Sequence, residues 1–160
     1  MKKITKKARI QEGEKFESAK KLELEGAFAD AVKIYQTIIK RNPIHIDAVS
    51  RLLILYRKTK AMDAEIELLK NAISSHENHI EEAQQEWIDN HQEIAEDSRP
   101  LAQILGLLNA KHLPYYEHEV LQKWTRRLAL LKQRRDKSNK KKNVVRKNKD
   151  RSLERSEIKK

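Results

Sequence analysis

Residues 22–43, LELEGAFADAVKIYQTIIKRNP, decide how this chain folds. Phe28, Ala31, Tyr35 and Ile38 follow one another at steps of three and four, the spacing of one face of an α-helix. Gly26, just ahead of them, permits the backbone conformation of a tight turn between two helices. Ala31 lets two helix axes approach closely, and Tyr35 fills the space one turn later. Pro43 cannot continue a helix and closes the unit.

The unit recurs. Sliding the sequence by 34 residues lays Leu22 on Tyr56, Phe28 on Met62, Tyr35 on Leu69 and Ile38 on Ala72, apolar on apolar each time. The spacing of Gly26, Phe28, Ala31, Tyr35 and Pro43, with Ala19 and Leu22 ahead of it, resembles the tetratricopeptide repeat, and about two repeats span residues 12–78. In the second copy Lys60 stands for the glycine, Leu53 and Glu65 for small residues, and Glu77 for the proline. The reading predicts four helices at about 11–25, 28–41, 46–58 and 62–76, paired as two antiparallel hairpins. Two repeats make a short solenoid with an uncovered end, so the following segment is expected to supply a partner surface.

Three further helices are expected there. An acidic one over residues 77–97 carries Ile80, Ala83, Trp87 and Ile94 as a narrow apolar stripe. Ser98 is placed as the cap of the next, with Pro100 in its first turn and Leu101, Ile104, Leu105 and Leu108 along one face down to Leu113. Pro114 then opens a third, with Tyr116, Val120, Trp124, Leu128 and Leu131 facing inward. After Leu131 hydrophobic content collapses, and a disordered tail is expected from residue 137 because nothing there offsets the entropy of ordering. The expected organisation is an all-α chain. It has a basic arm at 1–9, a tetratricopeptide-like solenoid of helical hairpins at 10–77, a helical cap at 78–136 and a disordered basic tail at 137–160.

Charge is placed unevenly. Residues 132–160 hold 14 Lys and Arg against 4 Asp and Glu, a net of +10, and residues 1–9 carry a net of +5. Residues 10–131 carry a net of −4. Between Asn71 and Ser98 there is no Lys or Arg, while Glu77, Glu81, Glu82, Glu86, Asp89, Glu93, Glu96 and Asp97 supply eight carboxylates. They form a solvated face suited to a basic partner, and partial shielding of the chain's own tail is expected. Cysteine is absent, which removes disulfides, thiolate catalysis and cysteine zinc sites. The lysine-rich start is followed by no apolar run, and nowhere do 18 apolar residues stand together, so neither secretion nor membrane insertion is expected and a cytoplasmic location is.

Candidate chemistry is sparse. His76 and His79, with Glu82 and Glu86 nearby, are the residue types of a zinc site, but they read as solvated side chains, and His112 and His118 as surface residues. The sequence holds neither a glycine-rich phosphate loop nor a Ser/His/Asp signature, so no enzyme activity, metal or cofactor is expected. The family resemblance implies instead a concave groove lined by the first helix of each pair: Glu17, Lys20, Glu23 and Leu24, then Asp47, Ser50, Arg51, Ile54, Arg57 and Lys58. Its partner site centres on Lys20, Glu23, Ser50, Arg51, Ile54, Arg57 and Lys58, basic around an apolar middle and fit for a protein or peptide with acidic and apolar residues. Phe16 stands where the carboxylate-clamp subclass has a basic residue, so capture of a chaperone tail is not implied. A second surface is the tail itself. Lys132, Arg134, Arg135, Lys140, Lys141, Lys142, Arg146 and Lys147 would bind polyanions by counterion release, without base reading, since no aromatic residue accompanies them. The expected function is a non-catalytic adaptor that grips a protein segment in its groove and is assisted by the tail. The alternative is a protein associated with RNA, DNA or the ribosome mainly through that tail.

Overall fold

The computed structural model describes residues 6–157, with side chains placed for residues 6–140. Six helices account for almost all of it: α1 (Lys6–Leu24), α2 (Phe28–Arg41), α3 (Ile46–Lys58), α4 (Met62–Asn90), α5 (Gln92–Ile104) and α6 (Glu119–Glu157). No strand occurs among the described residues, and only an isolated bridge joins Leu108 to Pro114.

The turns after α1 and α3 explain the first four helices. At the end of α1, Gly26 adopts φ +81°; its N–H bonds to the Glu23 carbonyl at 3.3 Å, and the Ala27 N–H to that of Leu22 at 2.9 Å. Those two bonds are the Schellman motif, which satisfies the last carbonyls of a helix and needs a left-handed residue to do so. Thirty-four residues on, the motif repeats at the end of α3. Lys60 bonds to Arg57 at 3.2 Å, Ala61 to Tyr56 at 2.9 Å, and Lys60 itself stands at φ +57°. The lysine has taken the glycine's conformation.

Each of the first four helices packs on the next, and α6 returns to pack on α4. Helices α1 and α2 run antiparallel, because Asn42 bonds to Glu12 at one end of the pair and Tyr35 reaches Glu23 at the other. Helix α3 is shared between two cores. Its Ala48, Leu52 and Leu55 pack with Ala19, Ala31, Tyr35 and Ile38, while its Val49 and Leu53 pack with Ile66, Leu69, Ala72 and Ile73 of α4 and Trp124 and Leu131 of α6. Helix α6 thus covers the face that the fourth helix would otherwise show to water.

Beyond residue 76 the chain departs from the sequence-based division. Helix α4 runs unbroken through Glu77, because neither glycine nor proline interrupts residues 62–90 and glutamate is a good helix former. The break falls at His91. Ser98 is not a cap: it sits inside α5, where its hydroxyl donates to the Ile94 carbonyl at 2.7 Å, and Pro100 lies inside the helix rather than in its first turn. Helix α5 ends on a third Schellman turn at Gly106, φ +65°, so Leu108 and Leu113 are not on a helical face. They flank a turn built on Asn109, whose side-chain carbonyl accepts from the Lys111 and Leu113 amides at 2.8 and 3.1 Å. Tyr116 precedes α6 and is exposed, whereas Trp124 and Leu131 are buried.

Helix α6 continues to Glu157, where a disordered tail is expected from residue 137. No glycine or proline follows Pro114, and Lys, Arg, Leu and Glu all support helix. The divisions expected after residues 77 and 136 therefore fall inside α4 and α6. Of the expected basic arm, residues 1–5 lie outside the described residues, and residues 6–9 form the first turn of α1.

Candidate functional site

Of the residues expected to line a groove on α1 and α3, Glu23 is buried and draws Arg51 and Lys58 to it, while the side chains of Arg57 and Lys58 stay about half exposed. Glu23 is 7 % exposed. Arg51 donates to it through Nη2 at 2.8 Å and Nε at 3.0 Å, Lys58 stands 3.9 Å away, and the Tyr35 hydroxyl lies at 3.5 Å. Burial opposes the charge on Arg51, but the bonds to Glu23 and Tyr35 outweigh it and hold the guanidinium protonated beyond its usual range. Burial is also the main cause that raises the Tyr35 pKa. Lys58 covers the Phe28 ring at 5.1 Å, and Lys20 pairs with Glu17 at 3.1 Å. Ser50 and Ile54 are half-buried.

A second buried carboxylate mirrors the first. Glu65, which stands for a small residue in the repeat pattern, is 2 % exposed. Arg127 of α6 grips it with Nε at 2.8 Å and Nη2 at 3.1 Å, and Arg57 of α3 approaches to 3.7 Å. A glutamate at a close-packed position is tolerable only with such a partner, since an unpaired buried carboxylate costs several kcal/mol. The four groove residues Glu23, Arg51, Arg57 and Lys58 are therefore committed to interactions within the chain. The basic character expected of the groove is largely cancelled by Glu23 and Glu65.

The segment expected from the sequence to bind polyanions stands elsewhere. Helix α6 runs antiparallel to α4: Gln84 bonds to the Pro114 carbonyl, His76 meets Trp124 edge-on at 5.5 Å, and Glu65 meets Arg127. Leu131 is the last residue of α6 in the core, so the remainder of the helix leaves the body where α3 turns into α4. Residues 132–157 extend about 38 Å beyond it at 1.5 Å per residue. Lys132, Arg134 and Lys140 are exposed and Arg135 is half-buried. The side chains of Lys141, Lys142, Arg146 and Lys147 lie outside those described.

The carboxylates between residues 77 and 97 occupy the other end, on the distal half of α4 and on α5. Among the described residues, the one ion pair made by these eight is that of Glu81 with Lys111, at 2.7 Å. Antiparallel packing points the basic segment away from them, so the self-shielding expected from the sequence has no geometric support.

His76 is not solvated, contrary to expectation. It is 7 % exposed, its Nε2 has no hydrogen-bond partner, and burial, followed by the nearby His118 and His79, lowers its pKa below 6.5. No group of three potential metal-ligating side chains occurs among the described residues. A cleft of about 1360 Å³ between α1, the α2–α3 turn and α4, lined by Lys6, Arg9, Arg41, His45 and His79 with Glu12 and Glu82, was invisible to sequence reasoning. Its basic residues come from three separate segments, and no motif links them. No described helix is long and apolar enough to cross a membrane. The chain matches no family model, no curated protein and no solved structure.

Proposed function

We propose that this chain is a non-catalytic, cytoplasmic nucleic-acid-associated protein whose basic α6 extension is the binding element and whose tetratricopeptide-like body is its platform. One observation carries the reading: α6 leaves the body at the end opposite the acidic half of α4, with 12 Lys and Arg against 4 Asp and Glu over residues 132–157. Among the described side chains, Lys132, Arg134, Arg135, Lys137 and Lys140 make no ion pair. Binding of this kind is electrostatic and sequence-independent, driven by release of counterions from the phosphates.

The test is a titration of a labelled duplex with the full chain at several salt concentrations. Engagement of four or five phosphates gives a slope of log affinity against log salt of about −4, at about 0.9 per contact. A full-length variant with Lys132, Arg134 and Lys140 changed to Glu should lose affinity and flatten that slope. Affinity indifferent to salt, or unchanged in the variant, overturns the reading.

The adaptor reading keeps one observation in its favour. The Schellman turn recurs at a 34-residue interval, which supports α1 and α3 as successive first helices of repeats and the surface between them as a groove. With Arg51, Arg57 and Lys58 committed to Glu23 and Glu65, a ligand there would be held through Ile54, Ser50 and the exposed Leu24 more than through its acidic residues.

A further inference from the structure

Helix α5 is packed inside out. Its buried side consists of Ala95 and the half-buried Ala102, whereas Ile94, Leu101, Ile104 and Leu105 are each more than half exposed, Ile104 at 82 %. At 100° per residue, Ile94, Leu101 and Leu105 share one face, and Glu93 and Asp97 flank it one turn apart. The face lies at the acidic end of the molecule, next to the tip of α4 with Glu86 and Asp89. Large contiguous apolar surface rimmed by like charge marks a docking site for something of opposite charge.

We infer that this face docks the basic α6 extension of a second copy of the chain, head to tail. The extension has the complementary charge, with 12 Lys and Arg against 4 Asp and Glu over residues 132–157. A chain cannot occupy its own face, because α4 holds the two ends about 40 Å apart and α6 runs on away from the face as one helix. Pairing of two α5 faces with each other would set Glu93 and Asp97 against their own copies, and like charges oppose that arrangement. Joining unlike surfaces generates an open series unless the rotation happens to close a ring. The inference goes beyond nucleic-acid binding and does not rest on it. A polyanion and a second copy compete for the same helix, so duplex should dissolve the assembly.

Sedimentation velocity on the full chain tests this. Wild type should grow in mass with concentration at low salt and return to the 18.9 kDa monomer at high salt. Two full-length variants remove one surface each: Glu93→Lys with Asp97→Lys, and Lys140→Glu with Lys141→Glu and Lys142→Glu. Each alone should be monomeric. Their equimolar mixture should associate again, since each variant offers the other a surface of complementary charge, and that association also shows that both variants fold. Wild type that stays monomeric at low salt overturns the inference, as does a mixture that stays monomeric. An assembly that survives both sets of changes and high salt overturns it too, and assigns the contact to α5 faces alone. Duplex affinity of the Glu93→Lys, Asp97→Lys variant measures nucleic-acid binding separately, so either proposal can fail without the other.

Discussion

Replacing Lys60 with glycine should stabilise the protein, although lysine is the better helix former. Lys60 stands at φ +57°, where a Cβ costs about 1–2 kcal/mol and glycine is unstrained. Glycine is the freer residue when unfolded, which offsets about 0.5–1 kcal/mol of that gain. The exposed Lys60 side chain makes no ion pair among the described residues, so no contact is lost to offset the difference. The net expectation is a gain of about 0.5–1 kcal/mol. For a chain of 160 residues, at about 2–4 °C per kcal/mol, Tm should rise by about 1–4 °C. Gly26→Ala is the mirror experiment. A Cβ at Gly26 meets no atom within 4 Å, so its cost comes only from φ +81°, and Tm should fall by a similar amount. Calorimetry or thermal circular dichroism on the two variants decides the matter. A Lys60→Gly protein that melts at or below wild type would show that the turn after α3 is not held in the glycine conformation, and would sever the two repeats.

Arg127→Ala should cost up to about 3 kcal/mol, because it leaves the buried Glu65 carboxylate with only Arg57, 3.7 Å away; Glu65→Gln with Arg127→Ala should recover much of that loss in a urea titration. Ala31, fully buried between α1 and α2, should tolerate leucine poorly, with a loss of about 1–3 kcal/mol in the same titration; an unchanged midpoint would place the close approach elsewhere. His76 has a folded pKa below its unfolded value of 6.5, so below pH 6.5 the unfolded chain takes up a proton that the folded chain refuses. Stability should thus be full above that pH and fall as pH drops toward the folded value, by at most about 1.4 kcal/mol per pH unit, and His76→Phe should flatten this limb.

Legibility in the sequence ended where punctuation ended. Gly26 and Pro43 are residues whose backbone preferences act locally, so α1, α2 and the turn between them could be placed from the sequence. The repeat template then misled, because it demanded a boundary at position 77, where only Glu77 stands and local propensity favours helix. Ser98 and Pro100 have the chemistry of a helix start, yet both lie inside α5, since the break at His91 comes first. The ion pairs of the expected groove residues were illegible for a different reason. Arg51 and Glu23 are 28 residues apart and Arg127 and Glu65 are 62 apart, so their pairing depends on tertiary packing that periodicity does not encode. One signal was present: Glu65 sits among Ile66, Leu69 and Ala72 at a position the repeat keeps small. A carboxylate there has to find a cation, and the groove arginines were at hand.

Separation of charge along the molecule fixes what salt can and cannot do to polyanion binding. Glu81, the first of the carboxylates to be changed, lies about 28 Å along α4 from Met62. Lys132 leaves the body near Met62, and the rest of the extension is farther away. At physiological ionic strength the Debye length is about 8 Å, so the carboxylates act on the extension across more than three screening lengths. In protein dilute enough to be monomeric, changing Glu81, Glu82, Glu86 and Glu93 to Gln should therefore leave duplex affinity within about twofold of wild type at that salt, where the sequence alone predicts tighter binding. An influence should emerge only near 0.01 M, where the screening length reaches about 30 Å. Fluorescence anisotropy with the Gln variant at both salts reads this directly. Tighter binding at physiological salt would mean that the acidic face reaches the basic helix after all, through a bend in α6 or through a second copy. Dilution distinguishes these two, because only the contact between copies weakens as the protein is diluted.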